Sequence, residues 1–261
     1  MAPDTLSLTN KVAIVTGSGR ETGIGAGIAF ALARNGAYVT INHVSDLSAP
    51  RAAKVAETIR LHGGKATVIQ ADISTQSGAK KLVEHTLAAF SVDHIDILVN
   101  NAAAGTPQSF LQSDQESLDA IFQSVVYGPI FTIQAALAHM PRGGRIVNIG
   151  SIASKLGMSA SAVYGAAKAA QDALTYSMAM ELGRGHGVTI NTVAPGPVDT
   201  DALPKDVAAK VHGFLVPMTR VEERAGTQED IADAVLLLVS EKSRWITGQV
   251  ISVSGGITGS R

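Results

Sequence analysis

KVAIVTGSGRETGIG, residues 11–25, opens as an apolar, β-branched run and then breaks into glycine. Lys11 to Thr16 reads as a buried strand, because apolar residues continue without polar alternation and a turn signal bounds them. Gly17, Gly19, Gly23 and Gly25 then crowd a turn ahead of a helical pattern that begins near Ile24 and stops at Asn35-Gly36. Backbone bare of side chains lets a pyrophosphate approach, and the amides and dipole of a helix N-terminus favour its charge. Three residues separate Gly19 from Gly23, so the spacing departs from GxGxxG. A plain strand-to-helix turn would look the same locally, and the rest of the chain must decide.

The same alternation repeats downstream. Strands are expected at Tyr38–Asn42, Lys65–Ala71, Ile95–Val99, Gly144–Ile149, Val188–Val193 and Gly248–Ser254. Helical patterns lie between them at 50–62, Gln76–Phe90, Asp114–His139 (kinked at Gly128-Pro129), 162–183 and Gln228–Ser240. Short connections between alternating strands and helices predict an α/β fold of Rossmann type: a doubly wound parallel sheet of about seven strands with helices on both faces. Residues 11–261 read as a single domain, 1–10 as a polar tail, and 199–217 as a helix-capable insert placed to act as a lid.

Composition narrows the function. Lys plus Arg number 21 against 22 Asp plus Glu, leaving a formal charge of −1 and no basic surplus for nucleic acid. No cysteine is present, which excludes disulfides and thiolate metal sites, and no metal is expected. MAPDTLSLTN lacks the apolar core of a signal peptide, and no apolar run is expected to reach membrane-spanning length, so a soluble cytoplasmic protein is expected.

Chemistry enters at SIASKLGMSASAVYGAAK, residues 151–168. Tyr164 and Lys168 stand four apart on a predicted helix, hence on one face. An adjacent cation favours the phenolate, so the lysine is expected to bring Tyr164 toward working pH. Such a tyrosine exchanges a proton with a substrate oxygen while the Ser151 hydroxyl holds that oxygen. These parts interconvert a ketone and an alcohol when a cofactor carries the hydride.

Four motifs now stand in order: TGSGRETGIG, Asn100-Asn101-Ala102-Ala103, Ser151 with Tyr164-Gly165-Ala166-Ala167-Lys168, and Pro195-Gly196-Pro197-Val198-Asp199-Thr200. Together they resemble the TGxxxGIG, NNAG, Ser-YxxxK and PG-x-V-x-T segments of the short-chain dehydrogenases/reductases. Two extra residues lengthen the first turn, and alanine replaces glycine in the second motif. The resemblance implies nicotinamide-dependent hydride transfer, with Ser151 orienting the carbonyl and Tyr164 exchanging the proton. Lys168 would lower the tyrosine pKa and hold the nicotinamide ribose. The implied cofactor set adds Gly17, Ser18, Arg20, Gly23, Ile24, Gly25, Asn42, His43, Asp72, Ile73, Asn101, Ala102, Pro195, Gly196, Val198 and Thr200. Asp72 and Ile73 would hold the adenine, and Val198 and Thr200 the nicotinamide amide. Thr200 serves equally as a helix cap, and Asn100 as a partner for sheet-end backbone groups.

The second strand ends Asn42-His43-Val44-Ser45, with no acid before Asp46, and Arg20 offers donors suited to a phosphate. NADP(H) is therefore favoured over NAD(H). The family commonly carries a relay asparagine three residues before a glycine of the long helix. Aligning on Gly128 puts Val125 there, so Ser124 or Tyr127 substitutes, or the proton travels another way, or the fold serves another reaction.

The substrate side is expected to involve 102–110, 152–158 and the 199–217 insert. Ala103, Ala104, Ile152, Ala153, Leu156, Met158, Leu203, Phe214, Leu215 and Met218 suit a neutral, hydrophobic carbonyl or alcohol: a polyketide- or alkaloid-type ketone, a steroid or an acyl thioester. The alternatives are an epimerase, dehydratase or cyclase on the same fold, or a cofactor-binding protein without turnover. The resemblance further implies a homotetramer or homodimer.

Overall fold

The computed structural model describes residues 6–104 and 109–259. The strands are Val12–Val15 (β1), Tyr38–His43 (β2), Lys65–Gln70 (β3), Ile97–Asn100 (β4), Arg145–Ile149 (β5), Thr189–Pro195 (β6) and Val250–Val253 (β7). All pair in parallel in one seven-stranded sheet, in the order β3-β2-β1-β4-β5-β6-β7. The direction of winding reverses between β1 and β4. Ligands of doubly wound sheets collect beyond the carboxyl ends of the strands at such a switch point.

Period-two alternation along β1 sends its side chains into two cores. Ala13 and Val15 face a cluster with Ile28 and Leu32 of α1 (Ile24–Arg34), Val55 and Ile59 of α2 (Ala49–Leu61), and Ile231 and Val235 of α9 (Gln228–Val239). Val12 and Ile14 face the other core, with Leu82 of α3 (Gln76–Phe90), Ile133 of α5 (Gly128–Leu137) and Leu182 of α7 (Ala162–His186). Each fully buried side chain of this size contributes about 1.5–3 kcal/mol.

Four expectations are corrected. Leu8 belongs to the domain, not to an outlying tail: it is buried in the first core and its amide donates to Asn35 O at 2.7 Å. The expected kink at Gly128-Pro129 lies earlier, as a π-helical turn over Gln123–Tyr127 that separates α4 (Gln115–Phe122) from α5. A short helix, α6 (Ala153–Leu156), occupies what looked like loop. Finally, the helical run Gln115–Leu137 is long and apolar enough, with mean hydropathy 1.4, to cross a membrane by length and composition. Here its α5 portion packs on α3 and its first part on α7, as a core helix does.

Candidate active site

Ser151 lies just beyond β5, after Gly150, and Tyr164 and Lys168 project from the first turns of α7. The approach of α6 to α7 is close enough to require Gly165, where a Cβ would stand 2.7 Å from Ala153 O. That contact draws the segment after Ser151 onto the tyrosine helix, and the Ser151 hydroxyl reaches the Tyr164 phenol. Lys168 is buried, with Nζ donating to Ile149 O at 2.6 Å and to Gln171 Oε1 at 3.3 Å. Its ammonium lies 5.7 Å from the Tyr164 ring centroid.

The electrostatics depart from the sequence expectation. Burial pushes the Tyr164 phenol up to about 12, and the Ser151 hydrogen bond only partly opposes this. Burial likewise depresses Lys168 to about 8, with the Asp172 charge acting in the opposite direction. Near neutral pH the site therefore holds a protonated phenol beside a largely protonated amine. Desolvation, which the spacing of Tyr164 and Lys168 cannot reveal, outweighs the attraction between phenolate and ammonium.

The glycine turn is braced from behind. Gly17 takes φ +60°, and a Cβ there would stand 2.7 Å from Ala102 Cα. The Thr16 hydroxyl accepts from Asn101 N at 2.9 Å and Ala102 N at 3.0 Å, while Asn101 Nδ2 donates to Thr16 O and Gly17 O. Gly23 caps α1, where Ile24 and Gly25 follow; no side chain caps this helix and no acid occupies its first turn. Those uncapped amides suit a pyrophosphate.

Several expected cofactor residues turn their side chains inward. Ser18 Oγ donates to Val15 O and accepts from Asn42 N. Asn42 Oδ1 accepts from Gly17 N, and its Nδ2 donates to His43 O, Ile69 O and Ala71 O, which pins the ends of β1, β2 and β3 together. His43 is buried against Ser45 O and Ser48. Ile73 belongs to the second core, whereas exposed Asp72 holds Ser74 N and Oγ. At the other rim, Pro195 O accepts from Ile152 N, Gly196 N donates to Val253 O, Val198 bridges Gly226, and Thr200 Oγ1 accepts from Ala202 N.

Arg20 leans toward the insert, its Nη1 3.4 Å from Asp201 O. The insert is helical over α8 (Lys205–Leu215), with Leu215 buried and Phe214 and Met218 exposed. Ile152 and Ala153 are packed inward, and of the 102–110 wall residues 105–108 lie outside those described. Ser124 Oγ accepts from Ala104 N and donates to Ile121 O, Tyr127 is exposed, and Val125 is buried beside Ala167. Neither Ser124 nor Tyr127 is a hydrogen-bond partner of Lys168, whose partners are Ile149 O and Gln171.

A family model described as enoyl-(acyl carrier protein) reductase matches residues 17–258. The chain belongs to the short-chain dehydrogenase/reductase family. The short-chain dehydrogenase/reductase FrzI of Cladobotryum is 41% identical over 96% of this chain and 97% of its own. A probable tetrahydroxynaphthalene reductase of Zymoseptoria tritici is 36% identical, covering 97% and 96%. Among solved structures, the angucycline C-6 ketoreductase LanV with bound NADP superposes with a TM-score of 0.87 at 32% identity, covering 96% of both chains.

In this short-chain dehydrogenase/reductase, sequence reasoning missed Thr16, Gln171 and Arg51. In the sequence Thr16 reads as the end of a strand, and nothing distinguishes Gln171 from other polar residues of its helix. Arg51 joins the long glycine turn to α2 and the insert through Glu21, at 2.8 Å, and Asp201. Its place in the first turn of α2, beside a β2 end without an acid, was the available signal.

Proposed function

We propose that this protein is an NADP(H)-dependent ketoreductase. It would interconvert a ketone and a secondary alcohol on a neutral, fairly hydrophobic molecule of the secondary-metabolite kind. The observation that carries this reading is the Ser151–Tyr164 contact beside the buried Lys168. The similarity to a probable tetrahydroxynaphthalene reductase and to an angucycline C-6 ketoreductase supports the substrate class.

The residues present fit the cofactor. The uncapped α1 amides and the Gly17 turn would take the pyrophosphate, and Lys168 the nicotinamide ribose. Arg20 and Arg51 would stand on the phosphate side, where β2 ends without a carboxylate. When bound, NADP(H) supplies or accepts the hydride. Ser151 donates a hydrogen bond to the ketone oxygen. Tyr164, protonated near neutral pH, delivers the proton to that oxygen as its charge develops. The ammonium of Lys168 stabilises the phenolate left behind. In the oxidative direction the same groups act in reverse.

Nicotinamide fluorescence, with NADPH and NADH titrated in parallel, tests the cofactor. Trp245 is 96% exposed beyond α9 and is a poor reporter of the cleft. Tighter NADPH binding, followed by NADPH oxidation with hydrophobic ketones, is the expected result. Preference for NADH would refute the cofactor assignment, and a product unchanged in oxidation level would favour the epimerase class. We also infer a homotetramer or homodimer, which the exposed Tyr176 and Met180 on α7 support and a sizing measurement tests.

A further inference from the structure

Asp172 lies one helical turn beyond Lys168 on α7. Its Oδ1 is buried without a hydrogen-bond partner and is aimed at the backbone after β5, 3.3 Å from where a Gly150 Cβ would stand. The Ser154 hydroxyl of α6 is within reach of the carboxylate but also donates to Ser151 O at 2.9 Å, so it satisfies the acid only in part. Buried oxygens left unpaired are costly, and an amide or an alkyl group would fill this place at less expense. The charged groups that face the carboxylate are Lys168 on α7 and Lys155 on α6. The uncharged Thr192 and Val193 of β6 crowd the same Gly150 position. At Lys168 itself, the partners are neutral: a backbone carbonyl and the Gln171 amide.

We propose that Asp172 is a positioning residue for catalysis, whose carboxylate keeps the buried Lys168 ammonium charged and thereby sets the alkaline limit of turnover. This role rests on the reading of Tyr164 and Lys168 as the proton-transfer pair. It accounts for an acid with an unsatisfied oxygen at this place. Dipoles from Ile149 O and Gln171 orient the amine, while the carboxylate's charge opposes in part the effect of its removal from water. The same carboxylate lies near Ser154 and Lys155 of α6, which follows Ser151 in the chain.

The test compares wild type with Asp172→Asn and Ser154→Ala. Lys168 is titrated by nitrogen-resolved NMR of the lysine side chains, assigned with Lys168→Met. The pH profile of kcat is then measured for NADPH-driven ketone reduction. Asp172→Asn should lower the Lys168 titration by about one pH unit and draw the alkaline limb of kcat down with it. Ser154→Ala, which keeps the charge, should move neither. An unshifted lysine in Asp172→Asn overturns the proposal, whatever happens to the rate. If that variant does not fold, the wild-type Lys168 resonance must still show a second inflection on the acid side as Asp172 protonates, and its absence is equally decisive. The lysine titration needs no substrate, so a failed ketone screen would count against the ketoreductase reading and leave this result standing.

Discussion

Replacing Thr175 by Val tests the buried polar chain that fastens α7 to the sheet beneath the site. The chain runs Thr132–Asn100–Asn148–Thr175–Thr192, with heavy-atom distances of 2.7, 2.9, 2.9 and 2.9 Å. Thr175 is fully buried, and valine keeps its shape and nearly its helix propensity, so neither a cavity nor a helix penalty enters. What remains is polar. Asn148 Nδ2 loses its acceptor inside the protein, at about 1–3 kcal/mol. Thr192 loses a hydroxyl partner, at about 1 kcal/mol. The expected loss is therefore about 2–4 kcal/mol, read from urea unfolding without cofactor at fixed protein concentration, because assembly would shift apparent stability. Thr192→Val removes the opposing hydroxyl, so the double variant should cost about 1 kcal/mol less than the sum of the two singles. A Thr175→Val protein within about 0.5 kcal/mol of wild type, or strict additivity, would refute the reasoning.

Other expectations follow from the same geometry. Tyr164→Phe should lower turnover by about 10²–10⁴-fold while NADPH binding persists, because only the proton donor is removed. Gly17→Ala combines a left-handed φ of +60° with a Cβ 2.7 Å from Ala102 Cα, and should weaken NADPH binding on fluorescence titration. Its loss should be at least about tenfold, since the strain alone is roughly 1–2 kcal/mol. Stability should rise with pH from about 8 toward 10.5, where folded Lys168 has released a proton that the unfolded chain still holds. From 10 toward about 12 it should fall, because folded Tyr164 keeps a proton that the unfolded chain loses. Urea midpoints across this range should lose the first, rising part in Lys168→Met.

The sheet was legible because its central strands β1 and β4 are buried along their whole length and read as nearly continuous apolar runs. The candidate site was legible because Ser151, Tyr164 and Lys168 lie within 151–168, the last two at helical spacing. What escaped had physical causes. An apolar periodicity does not register the single surplus residue at Gln123–Tyr127. The four residues of α6 are too few to show a period. Asn42 and Ser18 were placed correctly at the ends of their elements, yet sequence position does not reveal that both side chains are spent on backbone groups. The expected direction for the Tyr164 pKa failed because spacing counts the nearby cation but not the water removed.

The π-helical turn has a mechanical consequence. Each residue of a helix advances it by about 1.5 Å and rotates it by about 100°. One surplus residue between α4 and α5 therefore works as a phase offset, turning α4 relative to a helix that α3 and β4 hold in place. That offset presents the Ser124 hydroxyl to Ala104 N and so anchors the segment after β4. Deleting Val126 would let α4 and α5 fuse in regular α geometry, rotate α4 by roughly a quarter turn and withdraw Ser124 from its partner. The shape of that wall is thus held by the number of residues in the helix as much as by their kind.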